Sequence, residues 1–187
     1  MLKPFYQGKL DTFCAIYAVL NAFRLTHGIR TLKARNILND ALLALASRPE
    51  YFADVLAMRT DYVDLVDSIL YSTAEKMPLE IEKPFPNGAS VEEFWQKAGE
   101  WLAPRENRAV IFRFLRYLKP DAEPLNRHWT TADKLEGDVM HLFDCSHEAE
   151  AILNIRKKSI VTTREAVDGD HLLYIQPETV RFVRLPF

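Results

Sequence analysis

Residues 7–24 of this 187-residue chain read QGKLDTFCAIYAVLNAFR. Within this stretch, apolar side chains recur at the three- and four-residue spacing of an amphipathic helix. These positions are Ile16, Val19, Leu20 and Phe23. The pattern predicts a helix that runs to about Thr26 and ends at Gly28, because glycine readily closes a helix. Asp11 or Thr12 is the predicted N-cap, since a short side-chain oxygen can accept from the free amides of the first turn.

Cys14 falls in the first turn of this predicted helix, where a thiol is partly prepared for nucleophilic chemistry. The unpaired backbone amides and the helix dipole at this end favour the thiolate. Gln7 lies just upstream, and its side-chain amide could join the backbone amide of Cys14 in stabilising an oxyanion. Each residue also has a simpler interpretation, because cysteines are often buried in cores and a glutamine in a loop is often solvated.

The rest of the chain predicts helices in its first half and a sheet in its second. Helical periodicity covers residues 32–47, 51–71 (as one or two helices) and 91–101. Strand-like segments cover residues 79–81, 109–118, 127–135, 138–144, 159–162, 172–175 and 179–184. The last two are predicted to form a hairpin, and residues 147–151 a helical turn. This order predicts a single α+β domain over residues 1–187 with an antiparallel sheet, in which residues 30–105 form a helical insertion or lobe.

Another hairpin is predicted where residues 127–135 and 138–144 flank a short Glu-Gly turn. The start of the first strand of a hairpin lies beside the end of the second, and the positions symmetric about this turn are roughly 128 and 145. We therefore expect His128 and Asp144 to be close neighbours. A carboxylate that accepts from one imidazole nitrogen leaves the other free to take a proton from a thiol. Taken singly, His128 could be a packed surface histidine and Asp144 a turn cap.

Together these residues predict a catalytic site with Cys14 as nucleophile and His128 as general base. Asp144 would orient the base, and Gln7 would be an oxyanion donor. Trp129 follows the base directly, and its ring is predicted to wall a substrate subsite. A site of this kind needs no metal and no organic cofactor. Two interpretations without catalysis stay open: a binding protein that uses the same groove, and a helical adaptor in which Cys14 is structural.

Composition argues against several other classes of protein. The formal net charge is -2, which does not favour a nucleic-acid partner bound through a basic surface. No apolar run approaches the ~18 residues of a membrane helix, and the N-terminus lacks a signal-peptide pattern, so we expect no membrane partner and a cytoplasmic protein. Cys14 and Cys145 are not expected to form a structural disulfide there, and with five histidines they lack the spacing of a zinc site.

The chain resembles the papain-like cysteine peptidase superfamily in its glutamine and helix-start cysteine, in the H-W-T of residues 128–130 and in the F-D of residues 143–144. It is most similar to the bacterial branch that includes double-glycine-leader processing peptidases and avirulence-protein-type proteases. The resemblance covers residues 7–24 and 127–145. It implies a papain-like fold, in which the nucleophile helix packs on a C-terminal sheet, and the four catalytic roles given above. It also implies a protein or peptide substrate that is hydrolysed at a peptide, isopeptide or amide bond.

Overall fold

The computed structural model describes residues 2–8, 11–104, 106–146 and 152–186. Within these residues the chain forms five α-helices and an eight-stranded sheet, which confirms the predicted α+β class. The helices are α1 (Cys14–His27), α2 (Thr31–Ala46), α3 (Pro49–Leu56), α4 (Val63–Ala74) and α5 (Val91–Leu102). The strands are β1 (Glu80–Glu82), β2 (Arg108–Arg116), β3 (Asn126–Glu136), β4 (Val139–Leu142), β5 (Asn154–Arg156), β6 (Ile160–Val161), β7 (Leu173–Ile175) and β8 (Arg181–Arg184). The helical turn predicted at 147–151 lies outside the described residues.

The sheet runs in the order β1-β8-β2-β3-β4-β5, with antiparallel pairs along this path. β7 pairs antiparallel with β2, and the short β6 pairs in parallel with β7. The predicted hairpin of residues 172–175 and 179–184 is wrong, because β7 and β8 both pair with β2 and not with each other. Thr179 between them accepts a hydrogen bond from the backbone amide of Arg113, so the connecting turn itself is held against β2.

Alternation along β2 divides the hydrophobic core between the two faces of the sheet. Ala109 and Ile111 belong to a cluster with α1, α2 and α4, whereas Val110 and Phe112 belong to a cluster with α5. The segment 30–105, predicted as a helical insertion or lobe, thus supplies helices to both faces. Helix α1 is the central element of its cluster, because it contacts β2, β3, α2 and α4. None of the helices in the described ranges is both long and apolar enough to cross a membrane.

Helix α1 ends as predicted but begins differently. Gly28 closes it in the left-handed conformation, with φ of 63°. The predicted cap at Asp11 or Thr12 is wrong, because the N-cap is Phe13 and no side chain caps this helix. The Asp11 carboxylate instead accepts from the backbone amides of Gly8 and Phe13, which stabilises the loop before the helix. The first turn of α1 therefore keeps amides that no side chain occupies.

The predicted helical segment 51–71 forms two helices, α3 and α4, joined by a loop at residues 57–62. Met58 and Tyr62 in this loop have φ values of 54° and 65°, a left-handed conformation that side chains other than glycine rarely adopt. Each such residue costs on the order of 1 kcal/mol, and the surrounding contacts must hold it. One of these contacts is a hydrogen bond of 2.8 Å from the indole of Trp129 to the carbonyl of Asp61.

Ser90 and Glu93 form a capping box at the start of α5. Ser90→Ala should lower the free energy of unfolding by about 1 kcal/mol, because the backbone amide of Glu93 loses its acceptor. Ser47→Ala is the matched control, since the exposed Ser47 hydroxyl only donates to the carbonyl of Ala44. Urea unfolding of the two variants measures the difference, and equal losses would contradict the capping contribution.

Candidate active site

A pocket of about 140 Å³ opens at the N-terminal end of α1. Cys14 lines it from the helix, His128 lines it from the start of β3, and residues 58–62 contribute Met58, Thr60 and Tyr62. A larger groove of about 630 Å³ is lined by α2 and α4, but its lining contains no cysteine and no histidine. Of these two pockets, the smaller is therefore the one that combines a thiol with an imidazole.

His128 and Asp144 are in direct contact, as the hairpin argument predicts. His128 Nε2 lies 2.8 Å from Asp144 Oδ1. The Asp144 carboxylate also accepts from the Thr130 hydroxyl at 2.6 Å and from the Ser146 amide at 3.0 Å. The ring of Phe114 packs edge-on against the imidazole, with ring centroids 5.5 Å apart. These contacts hold the imidazole and the carboxylate in one relative orientation.

A β-bulge in β3 places the two side chains on the same face of the hairpin. Near the turn β3 and β4 pair residue for residue, but at Ala132 the register shifts because Asp133 is an extra residue in β3. A shift of one residue exchanges the two faces of a strand. Continued beyond β4, the shifted register puts Asp144 opposite Thr130, which lies on the same face of β3 as His128. The hydrogen bond between Thr130 and Asp144 agrees with this register.

Burial alone would lower the pKa of His128, because it disfavours the imidazolium. Hydrogen bonds to Asp144, Cys14 and Cys145 outweigh burial and raise the pKa of His128 well above its usual 6.5. Burial likewise opposes the charge on Asp144, but its contacts with His128, followed by those with Thr130 and Ser146, lower its pKa to about 2. The arrangement therefore favours an imidazolium beside a carboxylate at neutral pH.

Cys14 is the first residue of α1, and its thiol is one of the groups that raise the pKa of His128. The side chain is 7% exposed, which is enough for it to line the pocket. Because Asp144 engages Nε2 of His128, Nδ1 is the ring nitrogen left for a proton from Cys14. The uncapped amides of the first turn add a positive potential at this end of α1. The structure thus brings Cys14, His128 and Asp144 to one site.

Cys145 is a further thiol at this site, and the sequence argument gave it no role. Its Sγ lies 3.9 Å from His128 Nε2 and 3.6 Å from Gln7 Oε1. Cys145 is 1% exposed and does not line the pocket, and burial raises its pKa to about 11. The signal was present in the sequence, since 145 is roughly the position symmetric to 128 about the predicted Glu-Gly turn.

Among the described residues, one cluster of side chains could hold a metal ion. It consists of His128, Asp144 and Cys145, whose potential ligand atoms lie within 4.8 Å of one another. The short contact between His128 Nε2 and Asp144 Oδ1 uses the same atoms that would coordinate an ion. The raised pKa of Cys145 also favours its neutral thiol over the thiolate that binds metals. The cluster is compatible with the carboxylate and imidazole of a Cys-His-Asp triad.

Gln7 lines the pocket beside Cys14 and is fixed by three contacts. Its backbone amide donates to the carbonyl of Cys145 at 2.9 Å, and its Oε1 accepts from the Cys145 thiol. Its side-chain Nε2 donates to the carbonyl of Asp11 at 2.6 Å. An amide nitrogen carries two hydrogens, so one of them is still available to a ligand in the pocket.

Trp129 does not wall the pocket, so the role predicted for it is wrong. Its side chain is 0% exposed and packs in the core with α1, because it points away from the pocket on the β3 strand that carries His128. The indole nevertheless affects the site indirectly, since its hydrogen bond to Asp61 holds the 57–62 loop. The residues of this loop that do line the pocket are Met58, Thr60 and Tyr62.

Comparisons of the chain with protein-family models, with curated proteins and with solved structures gave no match. The function of the pocket is therefore argued from the chemistry of its own residues.

Proposed function

We propose that this protein is a cysteine-nucleophile hydrolase of papain-like type that cleaves a peptide, isopeptide or amide bond in a protein or peptide substrate. Cys14 is the nucleophile, His128 the general base and Asp144 the residue that orients the base. The observation that carries the proposal is the 2.8 Å contact between His128 and Asp144 beside the pocket that Cys14 lines.

The reaction follows from the charges at the site. His128 holds the proton of the Cys14 thiol, and the thiolate attacks the substrate carbonyl to give a tetrahedral oxyanion. His128 then protonates the leaving amine, which departs and leaves an acyl group on the sulfur. A water molecule, deprotonated by His128, releases the acyl group and restores the thiol. Asp144 stabilises the imidazolium in both halves of the reaction.

The oxyanion needs hydrogen-bond donors where its charge develops. Two groups near Cys14 meet this need: its own backbone amide at the uncapped helix start, and the second amide hydrogen of Gln7. Cys14 is preferred over Cys145 as the nucleophile for two reasons. Cys145 does not line the pocket, and its raised pKa of about 11 keeps it a neutral thiol.

Alkylation tests the proposal without a known substrate. Iodoacetamide should modify Cys14 at least about tenfold faster than Cys145 at neutral pH, because the thiolate is the reactive form. Mass spectrometry of peptides from timed reactions measures both rates in one sample. Cys14→Ala should remove the fast reaction, and Cys145→Ala should retain it. Equal, slow labelling of both thiols would exclude the catalytic interpretation in favour of a binding protein or an adaptor.

A further inference from the structure

Arg113 on β2 places a buried positive charge at the wall of the pocket that Cys14 and His128 line. The side chain of Arg113 has no role in the chemistry proposed above. The residue is 7% exposed, and its backbone is fixed by pairing with Trp129 on β3. A cation so far removed from water is normally balanced by a nearby anion and fully hydrogen-bonded.

The guanidinium of Arg113 lacks such a balance within the described residues. Its Nη1 donates to Gln176 Oε1 at 2.7 Å, a neutral acceptor. Its Nε is buried without a hydrogen-bond partner, and the group forms no salt bridge with any described carboxylate. Burial lowers the pKa of Arg113, and the nearby charges of Asp61 and Cys14 offset part of that effect. A guanidinium has five N–H donors, so most of its capacity is unused here.

One other polar group of the same lining is also left unpaired. The hydroxyl of Thr12, which lines the pocket, is buried and has no hydrogen-bond partner among the described residues. Met58 and Tyr62, with their left-handed backbones, form another part of the lining. Unused donors and backbone strain in one small cavity are features of a site shaped for a polar ligand.

The other charged groups of the lining already have partners. The carboxylate of Asp11 is occupied by the backbone amides of Gly8 and Phe13. Arg127 is half-exposed and forms a salt bridge with Glu123 at 2.8 Å. Arg113 is thus the cation of the lining that has no counter-charge bound to it among the described residues.

We propose that Arg113 binds a carboxylate of the substrate, so that the preferred substrates carry a carboxylate within a few bonds of the scissile carbonyl. This inference rests on the proposed function of Cys14. A carboxylate suits the planar fork of a guanidinium, which can bind both oxygens at once. The pocket of about 140 Å³ fits a short acidic group, such as an acidic side chain or a free α-carboxylate, and is smaller than the ~300 Å³ of typical ligand pockets.

A pair of alkylating reagents of nearly equal size tests this directly. Iodoacetate and iodoacetamide both transfer a two-carbon group to the thiolate as the carbon–iodine bond breaks and iodide leaves, but only iodoacetate carries a carboxylate. The measured quantity is the ratio of their rates at Cys14, divided by the same ratio for N-acetylcysteine amide. Because both reagents react with the same thiolate, the ratio cancels any change in ionisation. For the wild-type protein we expect a value of about ten or more, the size of one charge-assisted hydrogen bond.

Arg113→Gln should bring this normalised ratio close to one, and Arg113→Lys should keep part of the preference. Arg127→Gln is the matched control, because it removes one positive charge from the same lining and should retain most of the preference. A wild-type ratio near one, or equal losses in the two glutamine variants, would overturn the inference. If Arg113→Gln does not fold, Arg113→Lys decides the question, because it keeps the charge without the planar fork: loss of part of the wild-type preference supports the inference, and an unchanged ratio overturns it. Fast labelling by iodoacetamide without a carboxylate preference would overturn only this inference, whereas slow labelling by both reagents would overturn the proposed function with it.

Discussion

His128→Ala should slow the reaction of Cys14 with iodoacetamide by about a thousandfold at about pH 5.5. In the wild-type protein the imidazole of His128, whose pKa is raised by Asp144 and the neighbouring thiols, can hold the proton of Cys14. Without that base, a cysteine thiol behaves as an ordinary thiol, whose usual pKa near 8.5 leaves about one molecule in a thousand ionised at this pH. Stopped-time labelling followed by peptide mass spectrometry measures the rate at Cys14 itself.

The same variant should approach the wild-type rate at about pH 9.5, where an unassisted thiol is mostly ionised. This convergence separates loss of the base from a collapse of the pocket, which would slow the reaction at every pH. His171→Ala is the matched control, since His171 also contacts a carboxylate, Asp168, at 2.9 Å but lies at the surface, away from the pocket. Wild-type rates in the His128 variant at the lower pH would show that Cys14 ionises without this base.

Turn symmetry was sufficient to pair His128 with Asp144 from sequence, because both residues belong to one short hairpin. The register of a hairpin follows from its turn and needs no knowledge of the rest of the fold. The bulge at Asp133 was not predictable, since nothing in the local alternation requires an extra residue in β3. The bulge shifts the position of Asp144 relative to β3 by one residue. This shift places the Asp144 carboxylate on the same face of the hairpin as His128. Turn symmetry thus identifies the right neighbours without the correct register.

The remaining parts of the site depend on tertiary packing. Arg113 lies in a predicted strand, where an isolated arginine gives no sign that it borders a pocket formed by α1 and the 57–62 loop. Trp129 was assigned to the pocket because it follows His128, but successive residues of a strand point to opposite faces. The predicted hairpin of β7 and β8 was wrong for a related reason. The two strands are neighbours in sequence, but each of them pairs with β2 and not with the other.

Asp144→Ala should lower the free energy of unfolding by about 3 kcal/mol at about pH 5.5, the second large effect that the site predicts. The substitution removes the partner of a buried imidazole and also leaves the Thr130 hydroxyl and the Ser146 amide without their acceptor. Urea unfolding followed by tryptophan fluorescence measures the loss. Asp144→Asn keeps the shape of the side chain, so the difference between the two variants separates the lost charge from the lost volume and acceptors.

The way in which this loss of unfolding free energy changes with pH gives the sharper test. The pKa shifts of Asp144 and His128 set the pH range in which the loss is greatest. The pKa of Asp144 is lowered to about 2, so its contribution is complete above the usual 3.8 and is lost as the pH falls through about 2. The pKa of His128 is raised, so its contribution is complete below 6.5 and is lost as the pH rises through the raised value. The part of the lost unfolding free energy that depends on charge should therefore be greatest between pH 3.8 and 6.5. It should become smaller at lower and at higher pH.

Asp168→Ala is the control for this profile, since Asp168 contacts His171 at the surface, where solvent screens the pair. It should leave the free energy of unfolding almost unchanged at every pH. If Asp144→Ala instead destabilised the protein equally across the whole range, the contact would be a neutral hydrogen bond. His128 could not then be the imidazolium that the proposed reaction requires beside the Cys14 thiolate, and the catalytic assignment would lose its electrostatic basis.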